Sequence, residues 1–458
     1  MSNLFGTMSL AVRALLAEQG ALETTANNVA NIHTPGYARQ RPLLLEGDPV
    51  VIGRLVLGSG VVLGQAETLR EPILELRMHE ETQQQGQLDA MVAALRQIEV
   101  SFNENSGDIG SRLSRFFNSL NELSTNPANL PLRQGVLTAA ENLAAAFRAN
   151  AHNLKLQQAN LDLETSQAVD QINVLTGQVA DLNRQISGME SLGQDANIFI
   201  SQRTVLIRKL SALVDVRVID SRPGLSLTTA NGTALVAGDR SFQLQAGMDP
   251  LGSGLHHVFA QGTDVTANLT AGKLAGLIKV RDQTIPSLLL DLDTLASGLS
   301  NALNAAHATG FDLSGNPGGN LFAPPPLALS GAAAAMSVAI SDPTLIAASS
   351  DGSSGSNGNL DVLSAVRTQA VARGQNPTDF YAGLVFHVGS DVANSSAEAE
   401  AAGLILHQLE NQRSAVSGVS LDEEAANLVR FQRAYEAAAR VVATINDLTD
   451  IAINLGRY

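Results

Sequence analysis

Residues 26–37 read Ala26-Asn27-Asn28-Val29-Ala30-Asn31-Ile32-His33-Thr34-Pro35-Gly36-Tyr37. Asn tolerates the left-handed conformation that ends a helix, and a proline just beyond stops the helix from resuming. The stretch therefore closes the element before it and turns the chain. Upstream lies an apolar stripe at three-and-four spacing through Leu4, Phe5, Met8, Val12, Leu15, Leu22, Ala26 and Val29. A matching stripe occupies the other end of the chain: Leu428, Phe431, Tyr435, Ala438, Val442, Ile445, Leu448, Ile451 and Leu455. An isolated helix with such a face gains little by forming alone in water, so each stripe calls for a partner helix. Taken singly, either is the pattern of an ordinary domain helix. Two at opposite ends, one with the Asn-rich turn behind it, point to each other and to further copies of the chain.

The start of the C-terminal helix is signalled locally. Ser420 with Glu423 three residues on makes a capping box, and Asp422, Glu423 and Glu424 place negative charge where the helix dipole is positive.

Composition narrows the function. The chain has 458 residues, 44 acidic against 29 basic, for a formal charge of -15 without a basic cluster, which argues against nucleic-acid and anionic-membrane binding. With no cysteine it makes no disulfide and carries no thiolate chemistry, and it crosses between reducing and oxidising compartments unchanged. No apolar run approaches the roughly 18 residues of a membrane span. No basic residue precedes Arg13, and the early apolar positions are periodic, unlike a cleavable signal peptide.

Between the ends, residues 37–65 read as short strands, and 71–213 as long helices: 87–102, 109–123 and 132–186. Leu154, Leu161, Ile172, Leu175, Val179, Leu182 and Ile186 form an apolar face on the last of these. From 214 to about 275 the period switches to two, with an Asn231-Gly232 turn, as in a small antiparallel β region. Helices are expected at 273–280, 285–307, 360–373 and 395–414, with a Gly/Ser/Pro/Ala-rich loop over 311–359 and one strand in it at 336–340. The expected fold is mainly α with a β insertion. Residues 1–36 and 421–458 make a terminal coiled-coil domain, 37–213 and 275–420 a helical rod-like domain with short strands, and 214–274 an outer β domain.

The run Ala26, Asn27, Asn28, Ala30, Asn31, Thr34, Pro35, Gly36, Tyr37, set after an amphipathic helix, resembles the shared N-terminal signature of bacterial flagellar axial proteins. SLDEEAANLVRFQRAYEAAARVVATINDL near the C-terminus, VADLNRQIS, AGKLAGLIKVRD and LASGLSNALNAAHATGFDLSGNPGGNLF are similar to the hook-associated branch of that family. One departure stands at Asn197 to Arg203, where the family tends to an acidic Asn-Asp-Leu-x-Asp-x-Arg pattern. The resemblance implies a structural, non-enzymatic subunit at the hook-filament junction, exported unfolded by the flagellar type III apparatus and pairing its terminal helices into a coiled coil. It further implies copies of itself in a ring, the hook protein and a second junction protein as neighbours, an export chaperone on the C-terminal helix, and no cofactor. A hook or rod protein of the same superfamily shares the N-terminal signature, but the long helix before residue 186 argues for the hook-associated branch.

Catalytic signals are weak. His256 and His257 with Asp249 and Asp264 suggest a metal site, and with it a secreted hydrolase, but neighbours on a strand face opposite ways. Asp312, Ser314 and Asn316 imitate a calcium loop, yet Pro317 and Ala323 stand where it needs Gly and Glu. His79-Glu80-Glu81 lacks a second His, and Gly58, Gly60 and Gly64 do not open a helix.

Overall fold

The computed structural model describes residues 2–455 except 53–54, 103–107, 222–223, 250–251 and 253; the side chains of 2–5, 50–52, 55–57, 220–221 and 455 also lie outside the description. The described helices are α1 (Ser2–Ala30), α2 (Pro72–Phe102), α3 (Ile109–Thr125), α4 (Leu130–Ser191), α5 (Asn197–Leu213), α6 (Gly272–Lys279), α7 (Ile285–Ala308), α8 (Ala332–Ala335), α9 (Gly358–Ala365), α10 (Pro377–Ser417) and α11 (Leu421–Leu455). Long terminal helices with small antiparallel sheets between them make this the mainly α fold that periodicity indicated.

Strands β1 (Gln40–Arg41), β2 (Leu44–Glu46), β3 (Val50–Ile52), β4 (Leu55–Leu57), β5 (Val61–Leu63) and β6 (Glu67–Thr68) fold into one ribbon, pairing β1 with β6, β2 with β5 and β3 with β4. The stretch expected as one β region makes two sheets. β7 (Arg217–Ser221), β8 (Gly224–Thr228), β9 (Ala234–Ala237) and β10 (Arg240–Ser241) run in the order β10-β9-β8-β7, while β11 (Leu244–Met248), β12 (His256–Ala260) and β13 (Thr263–Asp264) form the other. The Asn-Gly turn joins β8 to β9, with a bulge between Leu227 and Thr228.

The chain divides into two compact units: residues 1–83, 171–244 and 402–458, and residues 84–170 and 245–401. The second unit holds the larger core. Ile98, Phe102, Leu113, Phe116, Phe117, Leu120, Phe147, Leu299 and Phe322 are buried there, with the Phe116 ring edge-on to Phe117 at 5.4 Å and to Phe322 at 6.1 Å between centroids. α4 feeds this core through Val136, Ala140, Leu143, Phe147, Ala151 and Leu154, spaced three and four apart so that one helix face stays apolar. Between α6 and α7 a π-helical turn, Val280–Thr284, seats Arg281 out of solvent against Asp162 at 2.8 Å and Asp282 at 2.7 Å.

Three expectations need correction. α10 begins at Pro377, well before 395, and α9 ends at Ala365, with turns following it. Residues 336–340 make no strand: they contribute one bridge, Phe322 with Val338, and the Ala339 N–H donates to Leu321 O at 2.9 Å. The surrounding loop is ordered by buried side chains in place of a ladder. Arg133 donates to Pro127 O and Ile346 O, the Asn304 amide brackets Phe322, and Asp293 accepts from Gly331 N and Ala333 N.

Candidate functional site

α1 ends where the Asn-rich stretch begins to use its side chains. The Asn31 amide donates to Asn27 Oδ1 at 2.7 Å, Thr34 Oγ1 donates to Asn31 Oδ1 at 3.0 Å, and Tyr37 N closes a turn onto Thr34 O at 3.1 Å. Gly36 has φ +78°, and a Cβ there would stand 2.1 Å from Val205 Cγ2 of α5, so conformation and space both exclude a side chain. The turn thus sits directly on α5, and its Gly36 carbonyl takes an Arg413 N–H at 3.0 Å. Arg413 also pairs with Glu75 at 2.8 Å, tying the turn to α10 and α2.

Asn28 is the centre of this arrangement. Buried at 1% exposure, it accepts from the Tyr37 hydroxyl at 2.8 Å and from Gln40 N at 2.9 Å. It donates to Gln40 O at 2.8 Å and to Glu424 Oε2 at 3.0 Å. Glu424, equally buried, takes Arg39 Nε on its other oxygen at 2.7 Å. One amide therefore joins the end of α1, the start of the ribbon and the first turn of α11. Burial and the Glu424 and Asp195 carboxylates push the Tyr37 hydroxyl up to about 12, which keeps it a donor at any physiological pH.

From this node α1 and α11 run antiparallel. The face of α1 buried within the chain is made of small residues: Ala11, Ala17, Ala21, Thr25 and then Asn28. The large apolar residues of the stripe are less deeply buried. Met8, Leu15, Leu22 and Val29 are half-buried and Val12 is exposed. On α11, Phe431 and Ile445 are buried, Leu428, Tyr435 and Val442 half-buried, and Leu448 and Ile451 exposed; the side chains of Leu4, Phe5 and Leu455 lie outside the described residues. Of the signature residues, Ala26, Ala30, Thr34 and Pro35 are exposed, whereas Asn27, Asn31, Gly36 and Tyr37 are half-buried.

The capping box is only half formed. Glu423 N reaches Ser420 Oγ at 3.5 Å, the outer limit of a hydrogen bond, and the Glu423 carboxylate turns to Arg39 at 2.5 Å. A guanidinium is the stronger partner, so it takes the carboxylate that a backbone N–H would otherwise hold. Arg39, Gln40 and the tertiary role of Glu424 have no counterpart in the helical periodicity. Their only local hint is a charged and a polar side chain directly after Tyr37.

The candidate histidine pair and the calcium-like loop are spoken for. His256 Nδ1 meets Asp162 Oδ2 at 2.6 Å and His257 Nδ1 meets Asp264 Oδ2 at 2.7 Å, so the two imidazoles on β12 go to different carboxylates. The Asp312 carboxylate accepts from Ser314 N and Asn316 N at 2.8 Å each, closing its own loop. At the position of the departure from the family pattern, Asn197 binds Ala66 O and Thr68 Oγ1, and Arg203 reaches Asn183 Oδ1 at 2.8 Å.

Comparison with known proteins places this geometry. Flagellar hook-associated protein 1 of Bacillus subtilis is 32% identical, over 99% of this chain and 99% of its own. The chain belongs to the flagellar hook-associated protein 1 family. Its counterpart in Escherichia coli is 26% identical over 97% of this chain and 98% of its own. The family model described as flagellar hook-associated protein FlgK helical domain matches residues 95–322. The models for flagella basal body rod protein and for flagellar basal body rod FlgEFG protein C-terminal match 8–37 and 410–455, the two ends that meet at Asn28 and Glu424. The flagellar hook junction protein FlgK from Burkholderia pseudomallei has the same fold, with a TM-score of 0.66 at 18% identity over 74% of this chain and 100% of that one. The protein is accordingly a structural component of the flagellar axis and not an enzyme. Among the described residues no helix is long and apolar enough to cross a membrane.

Proposed function

We propose that this subunit joins the flagellar hook to the filament side, polymerising as a ring on the distal end of the hook through its paired terminal helices. The observation that carries this reading is the apolar surface left outside the terminal pair. With α1 burying alanines and α11 burying Phe431 and Ile445, Val12, Leu16, Leu448 and Ile451 stay 38–59% exposed. Large apolar side chains left on the outside of an already paired helix gain their burial only from neighbouring subunits. In this reading the terminal helices are the coiled-coil assembly domain and the intervening residues project from it. The hook protein below, a second junction protein above and further copies alongside are the contacts. Export through the flagellar type III route, with a chaperone covering the α11 stripe beforehand, places the subunit in the extracellular flagellum. A chain without cysteine travels that route with no disulfide to break or remake.

Deletion of residues 421–458 tests the proposal. The truncated chain should keep the cooperative thermal transition of its aromatic core and fail to add to isolated hooks. Continued addition would refute an assembly role for α11, and loss of the core transition would refute the separation between assembly and folding.

A further inference from the structure

A cavity of about 380 Å³ opens where the ribbon meets α11, beside the Asn28 node, and arginines line it. Arg39 and Arg41 come from the start of the ribbon and Arg430 from α11, against one lining carboxylate, Glu424. Both Glu424 oxygens are already taken, by Asn28 and Arg39. Arg41 pairs with Glu67 along the ribbon, but both side chains are more than half exposed, and such a pair contributes little. Arg430 makes no ion pair among the described residues; its guanidinium lies 4.7 Å from the centroid of the Phe431 ring. Burial raises the Glu18 carboxyl of α1 against a smaller downward pull from Arg430, and the two form no salt bridge. The cavity also holds an unanswered amide. Gln40 is 6% exposed, and its backbone N–H and carbonyl both go to Asn28, but its side-chain amide has no hydrogen-bond partner among the described residues. Buried amides are ordinarily paired, so an open one beside guanidiniums marks a place for a ligand atom.

We propose that this cavity binds an oxyanion, the carboxylate or phosphate group that a forked guanidinium suits best, held by Arg41 and Arg430 with the Gln40 amide N–H as a further donor. Phe431 is buried, so the Arg430 guanidinium over its ring sits against an apolar surface, where attraction for an anion is screened less than in open water. A cationic lining runs against the character of the chain, which carries a formal charge of -15. Copies of that charge repel one another, and a pocket of opposite sign is where an acidic side chain of a neighbouring copy is accepted. A free phosphate offers the same chemistry. The copy-to-copy source rests on the proposed assembly, whereas the oxyanion chemistry does not.

An Arg41→Gln, Arg430→Gln chain removes these two guanidiniums and leaves Arg39 and the node in place. An Arg115→Gln, Arg367→Gln chain removes the same charge from exposed positions of the second unit and serves as the control. Titration calorimetry with inorganic phosphate at constant ionic strength should show saturable binding to the wild type and the control, weakened at least tenfold in the cavity variant. Addition to isolated hooks reads the other source: with a neighbour's carboxylate in the site, the cavity variant should add at least fivefold less than the control while keeping the wild-type circular dichroism. Phosphate binding that needs the two arginines, with normal addition, assigns the site to a free oxyanion. Lost addition without phosphate binding assigns it to a neighbouring carboxylate. Equal titrations and equal addition for the cavity variant and the control overturn the proposal. Failure of the wild-type chain to add at all overturns the assembly reading alone, and the phosphate titration then decides the site.

Discussion

The core of the second unit and the terminal helix pair bury different kinds of side chain. The second unit closes on phenylalanines and leucines, whereas the terminal pair buries mostly small α1 residues, Ala11, Ala17 and Ala21, with Phe431 and Ile445 of α11, around the amide of Asn28. A core of large side chains makes its own stability, since each removes much apolar area from water. Alanines remove little apolar area, so the terminal pair relies on a few large side chains and on the buried polar node for its specificity. Under the proposed assembly, the aromatic core holds the subunit together and the terminal pair is completed by other copies.

Truncating the core should have the largest effect. Phe116→Ala removes a ring packed against Phe117 and Phe322 and should cost about 3–5 kcal/mol. Urea unfolding followed by near-ultraviolet circular dichroism would read this as a lower midpoint of the main transition. An equal loss from Phe431→Ala, measured the same way, would break the contrast, because it would make α11 part of the same cooperative core.

The polar node comes next. Asn28→Ala leaves Gln40 N, Gln40 O and one oxygen of the buried Glu424 without their partner, and should cost about 2–3 kcal/mol. The loss should be confined to the terminal pair. Amide exchange should accelerate in α1, α11 and the ribbon while α3 and α7 keep their protection. Uniform acceleration across all of them would show one cooperative unit where the contrast requires two.

The contrast also separates what the sequence makes legible from what it does not. Both terminal helices, the turn at Thr34-Pro35-Gly36, α3 and α4 follow from local signals: periodicity, caps and breakers. The first half of α10 is hidden because Gly383, Gly389 and the Ser390-Asp391 pair interrupt any stripe, and tertiary packing of Phe380, Tyr381, Leu384 and Val388 overrides that weak propensity. The stripe residues of α1 were visible as apolar, but which face of a helix is buried inside one chain is decided by what lies opposite. Here the most deeply buried positions of α1 are the alanines between the stripe positions. The node itself was half legible. Asn28 and Tyr37 stand in a recognisable run, while Arg39 and Glu424 are 385 residues apart, and nothing periodic selects that pair from 44 acidic side chains.

Each of the two compact units also buries an imidazole among its described residues, and the two are held differently. In the second unit His307 donates Nδ1–H to Gly319 O at 2.7 Å and accepts Ala347 N on Nε2 at 2.9 Å. In the first unit His79 on α2 is buried near Glu75 and Arg208 with Nδ1 unpartnered. Burial lowers both below the ordinary histidine value of 6.5, His79 to about 4, against a smaller opposing pull from Glu75. A histidine lowered in the folded state is neutral in both states above pH 6.5, so no stability is lost there. Below 6.5 the unfolded chain takes up a proton that folded His79 refuses, and stability falls until about pH 4, where the folded form also protonates. Between pH 7 and pH 5 this amounts to about 2 kcal/mol from His79. His79→Leu should remove that part of the slope with little change at pH 7, because the ring it replaces leaves a nitrogen unsatisfied. His307→Leu should instead destabilise the second unit at pH 7 as well, since Gly319 O and Ala347 N both lose their partner. Amide exchange of α2 and α7 at pH 7 and pH 5 distinguishes the two sites. A pH slope in α2 that survives His79→Leu would assign the acid response elsewhere.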